Sequence, residues 1–194
     1  MSIQLLDEST INKIAAGEVI ERPASIVKEL AENAIDADAS VITIEIRDGG
    51  IAMIRVTDNG SGIAADEVPT AFLRHATSKI RTAEDIHHVQ SLGFRGEALA
   101  SIAAVARIEL ITKQREALTG VRYTAEGGQQ TALEEIGAPA GTTVIARDLF
   151  FNTPVRRGFL KAAVTETAHV AALAEELALS HPEVSIRFLA NGQS

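Results

Sequence analysis

Residues 41–62 read VITIEIRDGGIAMIRVTDNGSG and predict a β-hairpin, because apolar residues alternate with polar ones on both sides of a turn. The first strand has isoleucine at every second position, and the GG pair at 49–50 reverses the chain. In the returning strand, Asp58 has the same parity as Ile54 and Val56. Its carboxylate therefore ends a row of buried positions, where it needs a hydrogen-bond donor as partner.

The segments on either side of the hairpin predict an α+β fold. Helical segments precede the hairpin, whereas strands grouped together dominate from Arg107, without regular β-α-β alternation. This order favours one mixed, mostly antiparallel sheet with helices on one face, a two-layer α/β sandwich. We expect helices over about 10–19 (after an N-cap at Ser9), 23–37, 65–74, 83–89, 97–106, 154–163 and 165–180, and further strands over 107–113, 120–127, 130–136, 141–149 and 184–192.

The composition limits the possible chemistry. The 194 residues are 46% hydrophobic but only 4% aromatic, enough for a core of aliphatic residues in one large domain or two small ones. There is no cysteine, which excludes disulfides, thiolate nucleophiles and cysteine-bound zinc. The net charge of −8 disfavours unaided binding to nucleic acid, so contact with DNA would need a local basic patch.

The sequence shows neither a membrane span nor a signal pattern at its N-terminus, which favours a cytoplasmic protein. The chain ends just after an NG pair typical of a hairpin turn, at 191–192. A partner strand for 184–192 is missing from the sequence, so we expect these residues to be a fragment of a longer protein.

A polar stripe lies beside the apolar face of the predicted helix over 23–37. Glu29, Asn33 and Asp36 fall within an arc of about 60° at helical periodicity. Glu29 could act as a general base toward water, and the amide oxygen of Asn33 is a ligand that Mg²⁺ accepts beside phosphate oxygens. The alternative is a solvated polar flank of an ordinary amphipathic helix.

Two glycine-rich turns could approach a ligand closely. DNGSG at 58–62 follows the hairpin, although Asp, Asn and Gly are also common in simple turns. GFRG at 93–96 precedes a helix, where free backbone N–H groups and the helix dipole favour an anion. Neither GxxxxGK[ST] nor GxGxxG occurs, so any nucleotide binds outside both common frameworks. The long polar connection of about 75–97 is typical of a lid that orders on phosphates.

Taken together in this order, these motifs resemble the GHKL ATPases, and most closely the MutL family of DNA mismatch-repair ATPases. The resemblance rests on NKIAAGEVIERPASIVKELAENAIDA (12–37), RHATSKI (74–80), SLGFRGEALASI (91–102) and LFFNTPVRR (149–157), and covers essentially the whole chain. It implies the Bergerat type of α/β sandwich, with ATP and Mg²⁺ as cofactors.

The resemblance also assigns roles to individual residues. Glu29 would be the general base for hydrolysis, and Asn33 the protein ligand of Mg²⁺. Asp58 would hold the adenine amine, assisted by Thr143. The residues that would contact the nucleotide are Asn33, Asp58, Gly62, Thr77, Ser78, Lys79, Gly93, Phe94, Arg95, Gly96, Glu97, Ala98, Leu99 and Thr143.

The same resemblance implies a wider role in repair. Residues 1–194 would be one ATPase domain, followed in the whole protein by a transducer domain that supplies a lysine to the γ-phosphate and by a C-terminal dimerisation domain. ATP would order the lid and drive homodimerisation, coupling a MutS-type mismatch sensor to a downstream nuclease or helicase. We expect weak hydrolysis and weak DNA binding from these residues alone.

Two positions depart from the family pattern. Asp38 stands where glycine is usual after a helix, at a position expected to be left-handed, which Asp tolerates. Gly158 replaces a basic residue, although Arg156, Arg157 and Lys161 remain. Two alternatives stay open: a DNA-binding scaffold with relic ATP motifs, which that basic cluster would favour, and a gyrase-like or chaperone-like ATPase.

Overall fold

A seven-stranded sheet forms one layer of the described chain. The computed structural model describes residues 4, 7–74, 76 and 96–194. The strands lie in the order β5-β4-β3-β6-β2-β1-β7, and every neighbouring pair is antiparallel except β1 and β7. Their bounds are β1 Val41–Arg47, β2 Met53–Asp58, β3 Arg107–Lys113, β4 Gly120–Glu126, β5 Gln129–Ile136, β6 Gly141–Arg147 and β7 Ser185–Ala190. The predicted α+β class and the hairpin are therefore confirmed.

Helices cover one face of this sheet. Their bounds are α1 Glu8–Val19, α2 Pro23–Asp36, α3 Val68–Ala71, α4 Ala98–Val105, α5 Pro154–Phe159 and α6 Ala163–Ser180, with a 3₁₀ turn at Asp48–Gly50. Within the described residues, none of these helices is both long enough and apolar enough to cross a membrane. The helix predicted over 83–89 lies outside the described residues.

The two faces of the sheet differ because side chains alternate along each strand. Even-numbered positions of the central strands, such as Ile44, Ile54 and Leu110, are buried against the helices. The opposite face carries ion pairs across the strands, including Glu109 with Arg147 at 2.9 Å. The parity predicted for the hairpin is confirmed, and it places the end of β2 on the helix side.

Some helices begin or end at residues other than those predicted. Asp7, and not Ser9, is the N-cap of α1, because its carboxylate accepts the Thr10 N–H at 2.9 Å and the Thr10 hydroxyl at 2.8 Å. The helix predicted over 65–74 is wrong in length, since α3 spans only Val68–Ala71. Pro69 has no N–H to donate to the carbonyl of Ala65, so a regular helix cannot run from Ala65 through Pro69.

After α3, the Phe72 ring stacks on Tyr123 with centroids 4.2 Å apart, which fixes this short helix against β4.

The helix predicted over 154–163 is also too long. It ends at Phe159 because Leu160 is extended, and α6 starts at Ala163.

The end of α2 confirms the conformation expected at Asp38, whose φ is +56°. The Asp38 N–H donates to Ile35 O at 3.0 Å and the Ala39 N–H to Ala34 O at 3.1 Å, the two hydrogen bonds of a Schellman motif. The chain then turns directly into β1. The NG turn is also confirmed, since Asn191 and Gly192 both have positive φ and Ala190 pairs with Gln193.

Candidate functional site

A cavity of about 940 Å³ opens on the helix side of the sheet. Its walls come from α1, α2, α3, the ends of β2 and β6, and the start of α4. This volume lies in the range of pockets that bury a cofactor or drug-sized ligand. Among the predicted site residues, those lining the cavity are Glu29, Asn33, Asp58, Gly62, Gly96, Glu97, Ala98 and Leu99.

The α2 wall carries the predicted polar stripe. Glu29 and Asn33 are half-buried and line the cavity together with Asp36. The apolar side of the same helix, including Ile26 and Leu30, is buried in the core, so the helix is fixed with this flank toward the cavity. The stripe is therefore a cavity wall rather than an outer solvated flank.

Asp58 closes the floor of the cavity at the end of β2. Its Oδ1 accepts the Gly60 N–H at 2.8 Å and the Thr142 N–H at 3.2 Å. Burial raises the pKa of this carboxyl above its ordinary value, and the two backbone hydrogen bonds lower it only in part. No described residue donates a hydrogen bond to Oδ2, which leaves one acceptor atom for a ligand.

The loop after Asp58 is held close to the sheet. Gly62 has φ of +71°, and a Cβ there would lie 2.2 Å from Lys113 O, so any other residue would both strain the backbone and clash. The next N–H, that of Ile63, donates to the buried Thr112 hydroxyl at 2.9 Å. The same hydroxyl lies 3.0 Å from the hydroxyl of Thr142. One side chain thus connects the glycine loop to β6.

Thr143 is not where the resemblance placed it. Its hydroxyl donates to Thr57 Oγ1 at 3.1 Å on the face of the sheet away from the helices, and Thr143 does not line the cavity. Thr142 lines it instead, because it shares strand parity with the buried Val144. Thr142, and not Thr143, therefore lies beside Asp58 in the cavity.

The start of α4 also forms part of the cavity wall. Gly96 has φ of +62°, and Glu97 is the N-cap of α4. The first N–H groups of a helix lack intrahelical partners and lie at the positive end of its dipole. Since Ala98 and Leu99 line the cavity, this end can bind an anion there.

The charge of the described lining is strongly negative. One cation, Lys28, faces seven carboxylates: Glu18, Glu29, Glu32, Asp36, Asp58, Glu67 and Glu97. A polyphosphate would therefore need added positive charge. The described residues contain no group of three or more Asp, Glu or His that could hold a metal ion alone. An ion at Asn33 would thus take its other ligands from phosphates and water, as Mg²⁺ commonly does.

Six predicted contacts lie outside the described residues: Thr77, Ser78, Lys79, Gly93, Phe94 and Arg95.

Conversely, the cavity is lined by residues that the sequence analysis did not predict. Glu18 and Val19 come from the end of α1, and Thr70 and Ala71 from α3. These contacts could not have been predicted from the sequence pattern, since they depend on how separate helices pack.

The chain is similar throughout its length to known proteins. Residues 21–139 match the family described as histidine kinase-, DNA gyrase B- and HSP90-like ATPase. The DNA mismatch repair protein MutL of Agathobacter rectalis is 60% identical over 100% of this chain and 30% of its own length. The MutL protein of Symbiobacterium thermophilum is 56% identical over 96% of this chain and 29% of its own. This chain thus spans about 30% of the length of the curated relatives it matches.

A solved structure, the Aquifex aeolicus MutL ATPase domain complexed with ADP, matches with a TM-score of 0.76 and 36% sequence identity. The match covers 90% of this chain and 62% of that one. At this identity the likeness extends beyond the fold to the sequence. The ATPase domain in that solved structure is bound to ADP.

Proposed function

The chain belongs to the histidine kinase-, DNA gyrase B- and HSP90-like ATPase family, and from this premise we propose that it binds and slowly hydrolyses ATP as the ATPase domain of a DNA mismatch repair protein of the MutL type. The observation that carries the proposal is one cavity shared by Glu29, Asn33, Asp58 and the start of α4. These groups offer, in turn, a base, a metal ligand, a hydrogen-bond acceptor and an anion site.

Adenine fits the floor of the cavity. The exocyclic amine of adenine is a donor, and Asp58 Oδ2 is the acceptor that the backbone hydrogen bonds of Oδ1 leave available. Thr142 lies beside it with its hydroxyl oriented by Thr112. Asp58 and Thr142 thereby orient the base in the cavity.

The phosphates then lie between two walls. The N–H groups at Ala98 and Leu99 donate hydrogen bonds to phosphate oxygens, and Asn33 would hold Mg²⁺. When bound, Mg²⁺ neutralises phosphate charge that the acidic lining would otherwise repel. Thr77, Ser78, Lys79 and Arg95 complete the phosphate contacts in this proposal.

Glu29 acts as the general base. Its carboxylate takes a proton from a water molecule as the water oxygen forms a bond to the γ-phosphorus. The bond between that phosphorus and the bridging oxygen breaks, which releases ADP and phosphate. Hydrolysis is slow in residues 1–194 because a lysine from a following domain contributes in the whole protein.

Nucleotide binding also acts as a switch. With ATP bound, the chain forms a homodimer; most of the lid expected over about 75–97 lies outside the described residues. In the whole protein this change couples a MutS-type mismatch sensor to a downstream nuclease or helicase, with DNA contacted weakly by this domain. Light scattering with and without a non-hydrolysable ATP analogue tests the dimerisation step.

The hydrolytic role is tested by Glu29→Gln in single-turnover assays. We expect the variant to bind ATP as the parent does but to hydrolyse it at least about 100-fold more slowly. Glu21→Gln is the matched control, because Glu21 is exposed just before α2 and does not line the cavity. If Glu29→Gln hydrolyses ATP at the parental rate, the assignment of the base is wrong.

A further inference from the structure

Arg156 in α5 forms a long-range contact with the end of α1. Its Nη1 donates to the backbone carbonyl of Gly17 at 2.6 Å, across 139 residues of sequence. Gly17 is buried, and a Cβ there would lie 1.6 Å from the Arg156 Cζ. The guanidinium therefore occupies the space that a side chain at residue 17 would need.

This contact supplies what the end of α1 lacks. Gly17 is in the last turn of α1, where carbonyls have no intrahelical donor and the helix dipole is negative. The last turn contains no basic residue of its own. A guanidinium there both donates the missing hydrogen bond and complements the dipole.

The segment before Arg156 likewise donates hydrogen bonds to carbonyls at the C-terminal end of α4. Asn152 Nδ2 donates to Ala104 O at 2.9 Å, and the Phe150 N–H donates to Val105 O at 2.8 Å. Both acceptors are in the last turn of α4. Residues 150–156 thus cap the C-terminal ends of α1 and α4.

Both capped helices border the cavity. The end of α1 contributes Glu18 and Val19 to its lining, directly after the carbonyl that Arg156 holds. We propose that Arg156 is a positioning residue for the nucleotide cavity, because it fixes the last turn of α1 against the cavity rim. The inference rests on the proposed function, since it assigns Arg156 a part in nucleotide binding without contact to the nucleotide.

Three variants test whether Arg156 positions the last turn of α1. Arg156→Gln removes the guanidinium. Gly17→Ala makes α1 an intrinsically better helix but displaces the guanidinium through the clash at Cβ. Arg157→Gln is the matched control, because the Arg157 side chain is exposed and has no hydrogen bond or ion pair with any described residue.

Two readouts are needed: amide hydrogen exchange in Glu8–Val19 without nucleotide, and affinity for a non-hydrolysable ATP analogue. We expect Arg156→Gln and Gly17→Ala each to speed exchange in the last turn of α1 and to weaken binding by about tenfold, with Arg157→Gln like the parent. The double variant should be no worse than either single one. Arg156→Lys, which keeps a donor and the charge, should recover part of the affinity.

Parental exchange and affinity in Arg156→Gln would overturn the proposal. So would a Gly17→Ala variant that binds better than the parent, because intrinsic helix stability would then explain the effect. A parent that binds no nucleotide would overturn the proposed function and the role of Arg156 with it. That failure is distinguishable, because exchange in α1 would still respond to Arg156→Gln.

Discussion

Asp58 Oδ1 accepts the backbone N–H of Thr142 at 3.2 Å, so one carboxylate joins the ends of β2 and β6 at the floor of the cavity. The same atom accepts the Gly60 N–H. Because Oδ1 accepts two backbone hydrogen bonds, Oδ2 is the oxygen that can accept a hydrogen bond from a ligand. Replacing this oxygen by an amide nitrogen, as in Asp58→Asn, therefore tests which base the cavity prefers.

Asp58→Asn should change the base that is preferred. The amide oxygen can keep the hydrogen bonds from Gly60 and Thr142, which leaves an NH₂ group to face the adenine amine, donor against donor. We expect adenine-nucleotide affinity to fall about 100-fold, and the ratio of guanine to adenine affinity to rise, because guanine presents a carbonyl there. Competition titrations with ATP and GTP analogues measure both. An unchanged adenine preference would contradict this orientation.

The same substitution should alter the pH dependence of stability. Burial raises the pKa of Asp58 in the folded state, so its favourable contribution is complete below the unfolded pKa and is lost as pH rises through the folded pKa. Asp58→Asn should therefore gain stability relative to the parent over that window and keep the gain at neutral pH. Urea unfolding of both proteins across this range measures the difference, and a gain confined to acidic pH would contradict it.

Thr142→Val and Thr143→Val form a matched pair on opposite faces of β6. We expect Thr142→Val to weaken nucleotide binding by about 3- to 10-fold, because it removes the hydroxyl beside Asp58. Thr143→Val should bind within about twofold of the parent, since its hydroxyl contacts Thr57 away from the cavity. Calorimetric titration of both variants decides the assignment. The opposite ranking would restore Thr143.

Asp38→Gly should stabilise the fold. Asp38 has φ of +56° in the Schellman motif that ends α2, a conformation that glycine adopts without a Cβ penalty. We expect a gain of about 1 kcal/mol, or roughly 2–4 °C in Tm. Ala37→Gly is the control, because Ala37 has φ of −88° and gains no relief. Thermal unfolding that ranks Ala37→Gly above Asp38→Gly would contradict this account.

The sequence predicted those parts of the fold and site that follow from local periodicity. Strict alternation in 41–58 gave both strands of the hairpin and the inward carboxylate of Asp58, and helical spacing placed Glu29 beside Asn33. The strand beginning at Gly141 was ambiguous, because Val144 and Ile145 are both apolar and mark opposite faces. Parity alone therefore did not choose between Thr142 and Thr143.

The sequence pattern could not predict contacts between segments that are distant along the chain. The hydrogen bond from Arg156 to Gly17 depends on the packing of α5 against α1, and nothing near either residue indicates it. The stacking of Phe72 on Tyr123, a partner far along the chain, is likewise a contact that no local pattern indicates, whereas Pro69 was a local signal for the late start of α3. Such contacts follow from tertiary packing, which local propensity does not encode.

Calorimetric titration with a non-hydrolysable ATP analogue, with and without Mg²⁺, tests the shared cavity most directly when the parent is compared with Asn33→Ala. The account predicts one analogue bound per chain, tighter with Mg²⁺ in the parent, and little or no Mg²⁺ effect in Asn33→Ala. Absence of binding by the parent at millimolar analogue, or an equal Mg²⁺ effect in both proteins, would contradict it.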